Sequence, residues 1–203
     1  MIGVLGGAFN PPHVGHLCLA QEAHARLGLD RILLIPVGDA PHRELQADPG
    51  REHRLRMVEL AGAGDDRLEA STLEVERPGP SYTADTLAAL RASAPDEELT
   101  LILGADQAMR LGTWHEPERV LAQARLAVAQ RQGLGREEVE QAIGGLAGAE
   151  RIVGFDMPRL DVSSTLVRER AASGLPVRYL VPDAVADYIA AEGLYASPTP
   201  VGT

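Results

Sequence analysis

The fold is indicated by the first 28 residues of the chain, MIGVLGGAFNPPHVGHLCLAQEAHARLG (1–28). IGVL (2–5) is a short aliphatic run bounded by glycine, which is typical of a buried strand. GHLCLAQEAHARLG (15–28) has the apolar spacing of a helix, and it closes on Gly28, a residue type that often ends a helix. A strand, a loop rich in glycine and proline, and a helix in this order predict a β–α unit.

The same alternation continues to the end of the chain. The further strand-like runs are ILLIPV (32–37), LEASTLEV (68–75), LTLILGA (99–105), RLAVAQR (125–131) and RIVGF (151–155). The further helical segments are REHRLRMVELAG (51–62), YTADTLAALRAS (82–93), REEVEQAIGGLA (136–147), SSTLVRERAASG (163–174) and PDAVADYIAAEGLY (182–195). Strands that alternate with helices form a parallel sheet, and right-handed crossovers wind it in both directions. The sequence therefore predicts an α/β fold, a doubly wound parallel sheet with helices on both faces.

Length and composition favour one domain over residues 1–203, with a C-terminal helical portion at about 160–195 and a loose tail at 196–203. The chain is 45% hydrophobic, which is enough for one good core. No run approaches the roughly 18 apolar residues of a membrane span, and no signal peptide is visible at the start. Cys18 is the single cysteine, so no internal disulfide can form. These features predict a cytoplasmic protein with no membrane partner.

The charge pattern excludes several chemistries. The net charge is −10 and the pI is about 5.0, which argues against general nucleic-acid binding. All 19 basic residues are arginine, so the chain has neither the lysine of a P-loop nor one that could form a Schiff base. If the protein binds phosphates, it must use arginine, histidine and backbone amides, with a metal ion as a further option.

The loop GGAFNPPHVGH (6–16) lies at the C-terminal edge of the predicted sheet, where doubly wound folds bind ligands. Gly6 and Gly7 are expected to allow positive φ and to let a ligand approach the backbone. Pro11 and Pro12 stiffen the approach and prevent the helix from starting early. This loop is therefore the first candidate for a functional site.

Two histidines flank the predicted helix start. His13 and His16 lie about one turn apart, so both can face one point, and Gly15 leaves that point uncrowded. The free N–H groups and the positive dipole end of a helix N-terminus favour a phosphate, and two imidazoles add donors there. This arrangement suits a triphosphate better than a metal. The alternative is that the two histidines merely cap the helix.

Two motifs carry a family resemblance. GxFxPxHxGH at the start resembles the signature of the nucleotidyltransferase superfamily, which has a Rossmann-like fold and transfers a nucleoside monophosphate from ATP or CTP. SSTLVR (163–168) resembles the late motif of that superfamily. PGPSYTADTL (78–87), LILGADQAMRLGTWHEPERVL (101–121) and VPDAVADYIAAEGLY (181–195) narrow the resemblance to nicotinate mononucleotide adenylyltransferases. The resemblance implies that ATP and nicotinate mononucleotide react to give deamido-NAD and pyrophosphate, with Mg²⁺ on the substrate phosphates. A homo-oligomer is also possible.

The middle motifs suggest how the mononucleotide binds. The Thr83 amide at a helix start can hold the nicotinate carboxylate. Trp114, the single tryptophan, offers a flat partner for the pyridine ring, and its alternative role is simple core filling. Asp106, just after a strand, can accept from ribose hydroxyls, and its alternative role is an ordinary helix cap. The residues assigned to the mononucleotide, in part by resemblance, are Tyr82, Thr83, Gly104, Asp106 and Trp114.

The ATP site is expected to join both ends of the chain. Ser164 and Thr165 can donate to phosphate from a helix start, and Arg168 can reach the same oxygens; the alternative is a serine cap with a solvated arginine. Arg43, beside His42, stands where the family commonly has lysine. The residues assigned to ATP are Gly6, Gly7, Phe9, Arg43, Ser164, Thr165 and Arg168.

The resemblance implies a direct transfer. The 5′-phosphate is already an anionic nucleophile, so catalysis needs positioning and electrostatic stabilisation, without a covalent intermediate. We expect His13 to donate to the α-phosphate and His16 to hold the triphosphate. The alternatives are another transferase of the superfamily acting on phosphopantetheine or an alcohol phosphate, a nucleotide sensor without turnover, and a metal hydrolase using the two histidines.

Overall fold

A computed structural model describes residues 1–41, 44–130 and 136–196. Within these ranges six strands form one parallel sheet of order β3-β2-β1-β4-β5-β6. The strands are β1 Ile2–Gly7, β2 Arg31–Pro36, β3 Leu68–Ala70, β4 Leu99–Gly104, β5 Arg125–Gln130 and β6 Val153–Asp156. The strand order reverses between β1 and β4, so the doubly wound parallel sheet predicted from the sequence is confirmed.

Helices connect the strands in chain order. They are α1 Val14–Leu27, α2 Arg51–Gly62, α3 Leu73–Glu76, α4 Thr83–Ser93, α5 Ala105–Ala108, α6 Pro117–Gln123, α7 Arg136–Ile143, α8 Ser164–Ala172 and α9 Asp183–Ala191. Two short 3₁₀ turns lie at Leu111–Thr113 and Ala149–Arg151. None of the helices in the described ranges is long and apolar enough to span a membrane.

The strands are apolar on both sides because both faces of the sheet are covered. Val4, Leu101 and Val128 pack with α4, α6 and α7 on one face. Their neighbours Leu5 and Ile102 pack with α1 and α2 on the other face. Near-continuous aliphatic runs are expected in such a sheet, because no side of the strand meets water. The predicted helices on both faces are therefore confirmed.

The C-terminal helices form a separate apolar cluster with α2. Val167 on α8 and Val185 and Ile189 on α9 are buried against Met57 and Ala61 of α2. This packing brings the end of the chain against the helix that follows β2. The segments around 160–195 thereby reach the carboxyl edge of the sheet, where the first loop lies.

Three predicted elements differ clearly from the structure, and one of them is the helix predicted over 182–195, which ends at Ala191. The run 68–75 was expected to be a strand, but only Leu68–Ala70 pairs with β2, and the chain then turns into α3. The helix predicted over 136–147 ends at Ile143, before the Gly144–Gly145 pair. Glycine is unfavourable in the interior of a helix, and this pair accounts for the early end of α7. Gly28 ends α1 in the left-handed conformation, with φ of 64°, as expected.

Candidate active site

The first loop borders the crevice at the reversal of strand order. β1 and β4 are neighbours, and their carboxyl ends lead into the loop before α1 and into α5. We call residues 8–13 the histidine loop. Ligands of doubly wound sheets bind outside the strand ends at this position. The fold therefore brings residues from several distant parts of the chain to one edge.

The two glycines before the histidine loop leave space for a ligand, but their backbone conformation is that of an ordinary strand. Gly6 and Gly7 were expected to use positive φ, and this is wrong, because both continue β1 without a positive φ. Gly6 is exposed, and a Cβ built on it would meet no atom of the described residues within 4 Å. Phe9 is the residue that adopts positive φ, at 47°, with its ring buried. The open backbone at Gly6 still fits the close approach of a ligand.

His13 and His16 form the N-terminal cap of α1. The Gly15 N–H donates to Nδ1 of His13, and the His13 N–H donates to Nδ1 of His16, each over 3.2 Å. The ring centroids lie 3.8 Å apart with an interplanar angle of 34°. A side chain on residue 15 would come within 3.0 Å of the His13 ring, so Gly15 makes room for that ring. The capping alternative is therefore real, but it uses only the Nδ1 edges.

Burial and the capping hydrogen bond together determine the charge and the tautomer of His16. Burial, followed by the proximity of His13, lowers the pKa of His16 from 6.5 to about 3, so its ring is neutral at pH 7. A neutral imidazole whose Nδ1 accepts a hydrogen bond carries its proton on Nε2. The ring of Phe9 packs against His16 with centroids 4.9 Å apart. His16 thus presents an N–H donor without bringing a positive charge.

The late motif of the sequence, SSTLVR, contacts the histidine loop. The Ser164 hydroxyl donates to the Pro11 carbonyl over 2.8 Å. Arg168 donates from Nη1 to the Asn10 carbonyl over 2.8 Å and from Nη2 to Thr165 Oγ1 over 3.3 Å. Both ends of the chain therefore meet at this site, as expected.

Helix α8 has its own cap. Ser163 accepts from the Leu166 N–H over 3.1 Å, so the serine-cap alternative is correct for Ser163. Arg168 is only partly exposed and is bonded to the loop, so the solvated arginine of that alternative is wrong. Thr165 is exposed at the helix start. The assignments of Ser164, Thr165 and Arg168 to ATP stay predictions.

A buried arginine that the sequence reasoning missed lies behind the histidine loop. Arg54 on α2 is 1% exposed and donates to the carbonyls of Ala8, Val37 and Gly38. Its Nε also donates to Asp48 over 2.9 Å. One guanidinium thereby joins the chain after β1 to the chain after β2. Arg43 and His42, which belong to that second connection, lie outside the described residues.

The residues assigned to the mononucleotide occupy a more open region, which we call the acceptor side. Tyr82 precedes α4, and its ring lies on that of His115 with centroids 4.2 Å apart. Thr83 begins α4, so its amide belongs to a helix N-terminus, as expected. Trp114 is half-buried and packs against the core, so it fills space there while part of it remains accessible. His115 was not predicted, although it adjoins Trp114.

Gly104 and Asp106 lie beside the histidine loop at the end of β4. Gly104 is the N-cap residue of α5, and a Cβ built on it would meet no atom within 4 Å in the part of the chain that the structure describes. Asp106 is exposed in the first turn of α5 and does not cap that helix. The helix-cap alternative for Asp106 is therefore wrong. Recognition of a ribose by the Asp106 carboxylate stays a prediction.

A buried network of hydrogen bonds holds the start of α4, which carries part of the acceptor side. The Thr86 hydroxyl on α4 donates to the Glu74 carboxylate over 2.6 Å. Burial raises the pKa of Glu74, opposed by hydrogen bonds from Thr86 and Ser81 and by the charge of Arg77. The Gly38 N–H donates to Ser81 Oγ over 3.2 Å, which links this network to the chain after β2. The start of α4 is thus held in place, although the nearby rings of Tyr82 and His115 are not buried.

The fold and the site agree with the class of protein that the sequence motifs indicated. The sheet order 3-2-1-4-5-6, the HxGH helix start at the strand reversal and the late serine–arginine helix start against it are the arrangement expected of a nucleotidyltransferase of Rossmann-like fold. The model of the cytidylyltransferase-like family matches residues 4–170, and the chain belongs to that family.

The comparisons with curated relatives narrow the class. A protein of Roseiflexus sp. (strain RS-1) named "Probable nicotinate-nucleotide adenylyltransferase" is 46% identical over 194 residues, which are 96% of this chain and 97% of the relative. A protein of the same name from Geobacillus thermodenitrificans is 38% identical over 98% of this chain and 88% of its own length. The resemblance to nicotinate mononucleotide adenylyltransferases drawn from the sequence is therefore confirmed.

Solved structures agree with the fold. Two structures of Plasmodium falciparum nicotinic acid mononucleotide adenylyltransferase, complexed with APC and with NaAD, match with TM-scores of 0.75 and 0.77. Each covers 96% of this chain and 96% of its own, at 16% and 17% sequence identity. At that level of identity the likeness shows the Rossmann-like fold.

Proposed function

We infer that the protein is a nicotinate-nucleotide adenylyltransferase, which joins ATP and nicotinate mononucleotide to give deamido-NAD and pyrophosphate. The observation that carries this inference is a pair of adjacent imidazoles at the start of α1, at the reversal of strand order, whose Nδ1 atoms accept backbone N–H groups. The names of the curated relatives support it, and so do the nucleotide complexes in which a structural neighbour was solved.

The reaction needs no base and no covalent intermediate. A 5′-phosphate oxygen of the mononucleotide attacks the α-phosphorus of ATP, and the bond from that phosphorus to the bridging oxygen of pyrophosphate breaks. The attacking oxygen is already anionic, so the protein has no proton to remove. Its task is to hold two anions together and to stabilise the charge that gathers at the α-phosphate.

The histidine loop suits that task. We assign to His13 the main donation to the α-phosphate in the transition state and to His16 the holding of the triphosphate. His16 donates without being charged, because its pKa is lowered and its Nδ1 is already used by the backbone. The first N–H groups of α1 add the positive end of a helix dipole. Gly6, Gly7, Phe9, Ser164, Thr165 and Arg168 complete the proposed ATP site, and Arg43 is added to it from the sequence.

Mg²⁺ enters this proposal with the substrate, as MgATP. Within the described ranges no group of three or more His, Cys, Asp or Glu side chains is arranged to hold a metal ion. Phosphate oxygens and water are suitable ligands for Mg²⁺, so the ion would neutralise the phosphates without a cage of protein ligands.

The acceptor side is proposed to bind the mononucleotide. Trp114 would stack on the pyridine ring, and the Thr83 amide would meet the carboxylate. Tyr82 would border the ring, and Gly104 and Asp106 would meet the ribose. A cytoplasmic location and a homo-oligomer remain predictions from the sequence.

The test is an assay of pyrophosphate and deamido-NAD from ATP and nicotinate mononucleotide. Parallel reactions use nicotinamide mononucleotide, phosphopantetheine, or no acceptor. We expect both products in equal amounts, with the highest kcat/KM for nicotinate mononucleotide. Faster turnover of phosphopantetheine would contradict the substrate, and ATP binding without pyrophosphate release would indicate a sensor and overturn the enzyme.

A further inference from the structure

Asn10 joins the histidine loop to three distant segments. Its side chain is buried, with 3% exposed, and its Nδ2 donates to the Gln46 carbonyl over 2.9 Å. Its Oδ1 accepts from the Tyr195 hydroxyl over 2.8 Å, and its backbone carbonyl accepts from Arg168. The amide side chain therefore has both of its polar ends engaged, one with the chain after β2 and the other with the C-terminal segment.

Tyr195 is held firmly for a residue so close to the end of the described chain. It follows α9 in the left-handed conformation, with φ of 64°, which is uncommon for a residue with a side chain. Its hydroxyl also lies 4.0 Å from the Met57 sulfur. Burial raises the pKa of the Tyr195 phenol, so the group remains protonated and continues to donate at neutral pH. A disfavoured backbone conformation persists only where surrounding contacts hold it, and here those contacts lead to Asn10.

The path from Asn10 to His13 is short and stiff. Only Pro11 and Pro12 intervene, both are buried, and each has a fixed φ. A rotation of Asn10 would therefore be passed to His13, which has 8% of its surface exposed. Because transition-state stabilisation depends on donor placement, a small displacement there changes the rate of the chemical step.

We propose that Tyr195 is a positioning residue for adenylyl transfer, which acts through Asn10 to fix the loop that carries His13. The proposal rests on the proposed function of the histidine loop. It adds a residue 185 positions away in sequence, which no assigned site contains. Tyr195 makes the C-terminal segment a part of the catalytic geometry without contact to substrate.

The chain offers a matched control for this proposal. Tyr188 on α9 also uses its hydroxyl, which lies 2.8 Å from Nδ1 of His53 on α2. Tyr195→Phe and Tyr188→Phe each remove one phenolic hydroxyl that bonds a side chain. Tyr188 has no bond to the histidine loop among the described residues. A purely structural role predicts similar consequences for both variants, whereas positioning predicts a difference.

The experiment measures kcat, both KM values and Tm for the two variants and wild type. We expect Tyr195→Phe to lower kcat about tenfold, with KM for nicotinate mononucleotide within about twofold of wild type. Tyr188→Phe should keep kcat within about twofold even if its Tm falls equally. Equal kcat losses in both variants, or no loss in Tyr195→Phe, would overturn the proposal.

A double-mutant cycle tests whether the effect passes through Asn10. Once Asn10→Ala has removed the acceptor, Tyr195→Phe should change kcat no further. Independent, multiplying losses would show that Tyr195 does not act through Asn10, which overturns the proposal.

A spectroscopic readout separates this proposal from the proposed function. The ¹H–¹⁵N signals of the His13 and His16 imidazoles should shift or broaden in Tyr195→Phe and remain in place in Tyr188→Phe. If wild type makes no deamido-NAD, the proposed function fails, yet these signals still report whether Tyr195 positions the rings. Unchanged signals in Tyr195→Phe would overturn the positioning role.

Discussion

The histidine loop and the acceptor side are neighbours at the same sheet edge, but they are held differently. The histidine loop is fixed by partly buried hydrogen bonds from Arg54, Arg168 and Tyr195. On the acceptor side, buried hydrogen bonds of Glu74 and Ser81 hold only the base of α4. The surface beside the rings carries exposed ion pairs, in which Arg119 on α6 bonds Asp85 and Glu116. Exposed pairs contribute little to stability, whereas buried networks hold one geometry.

This difference matches the demands of the proposed reaction. Charge at a phosphorus is stabilised only by donors that are already in place, because reorganisation during the reaction costs free energy. A mononucleotide that must enter and leave as part of a dinucleotide is better served by an accessible edge. We therefore interpret the histidine loop as the preorganised part and the acceptor side as the adaptable part.

The largest effect is expected from removing the guanidinium behind the histidine loop. Arg54→Met leaves Asp48 and three carbonyl groups without their donor, and we expect the free energy of unfolding to fall by about 3–5 kcal/mol. Arg56→Met is the control, because Arg56 is an exposed residue of the same helix paired with Glu59, and its change should stay within about 0.5 kcal/mol. Urea unfolding measures both. Equal losses would mean that the network is not what stabilises this edge.

The next effect concerns the donor assigned to the transition state. His13→Asn keeps an acceptor for the Gly15 N–H, since Asn is a good N-cap residue, but it removes the Nε2 donor. We expect kcat to fall about 10²- to 10³-fold, a loss typical of one oxyanion donor, while Tm changes little. His24→Asn, in the last turn of α1, should leave kcat unchanged. A His13→Asn enzyme with kcat within a few-fold of wild type would refute the assignment.

A moderate effect is expected on the acceptor side. Trp114→Ala should raise KM for nicotinate mononucleotide about five- to tenfold, because a stacking partner is worth about 1 kcal/mol. Trp114→Phe, which retains a flat ring, should recover most of this loss. KM for ATP should change by less than about twofold in both variants. If KM for ATP rises as much as KM for the mononucleotide, Trp114 does not distinguish the two substrates.

The effect that is smallest at neutral pH is on the pH dependence of stability, because it develops only in acid. The pKa of His16 is lowered from 6.5 to about 3, so between these values the unfolded chain binds a proton that the folded chain does not. The folded state therefore loses stability as the pH falls from about 6.5 toward 3, by up to about 1.4 kcal/mol per pH unit. His16→Asn should remove this part of the slope in urea unfolding between pH 6.5 and 4.5. Identical slopes in the two proteins would show that His16 is not the group responsible.

Much of the fold could be predicted because its signals are local. Short aliphatic runs and the Gly28 stop are set by neighbouring residues, and β1, α1 and α2 lie where the sequence places them. α3, α5 and α6 were not predicted, because they are only four to seven residues long and carry little periodicity. Segment 68–75 reads as a strand by composition, but only three of its residues find a partner in the sheet.

The site could be predicted where the spacing of residues in the sequence determines which side chains are close. His13 and His16 share a helix start, so their proximity follows from their separation in sequence. Arg54 left a signal that could have been used, since it shares a face of α2 with Met57, Val58 and Ala61 at helical spacing. A charged residue in an apolar stripe indicates a buried network. Tyr195 and Asn10 left no such signal in the sequence, because only tertiary packing brings them together.

The most direct test of the central claim is a crystal structure of the protein with a non-hydrolysable ATP analogue and Mg²⁺. We predict the triphosphate at the start of α1, with phosphate oxygens within about 3 Å of the Nε2 atoms of His13 and His16. Phosphates bound away from the histidine loop, with both rings contacting only protein, would contradict the account.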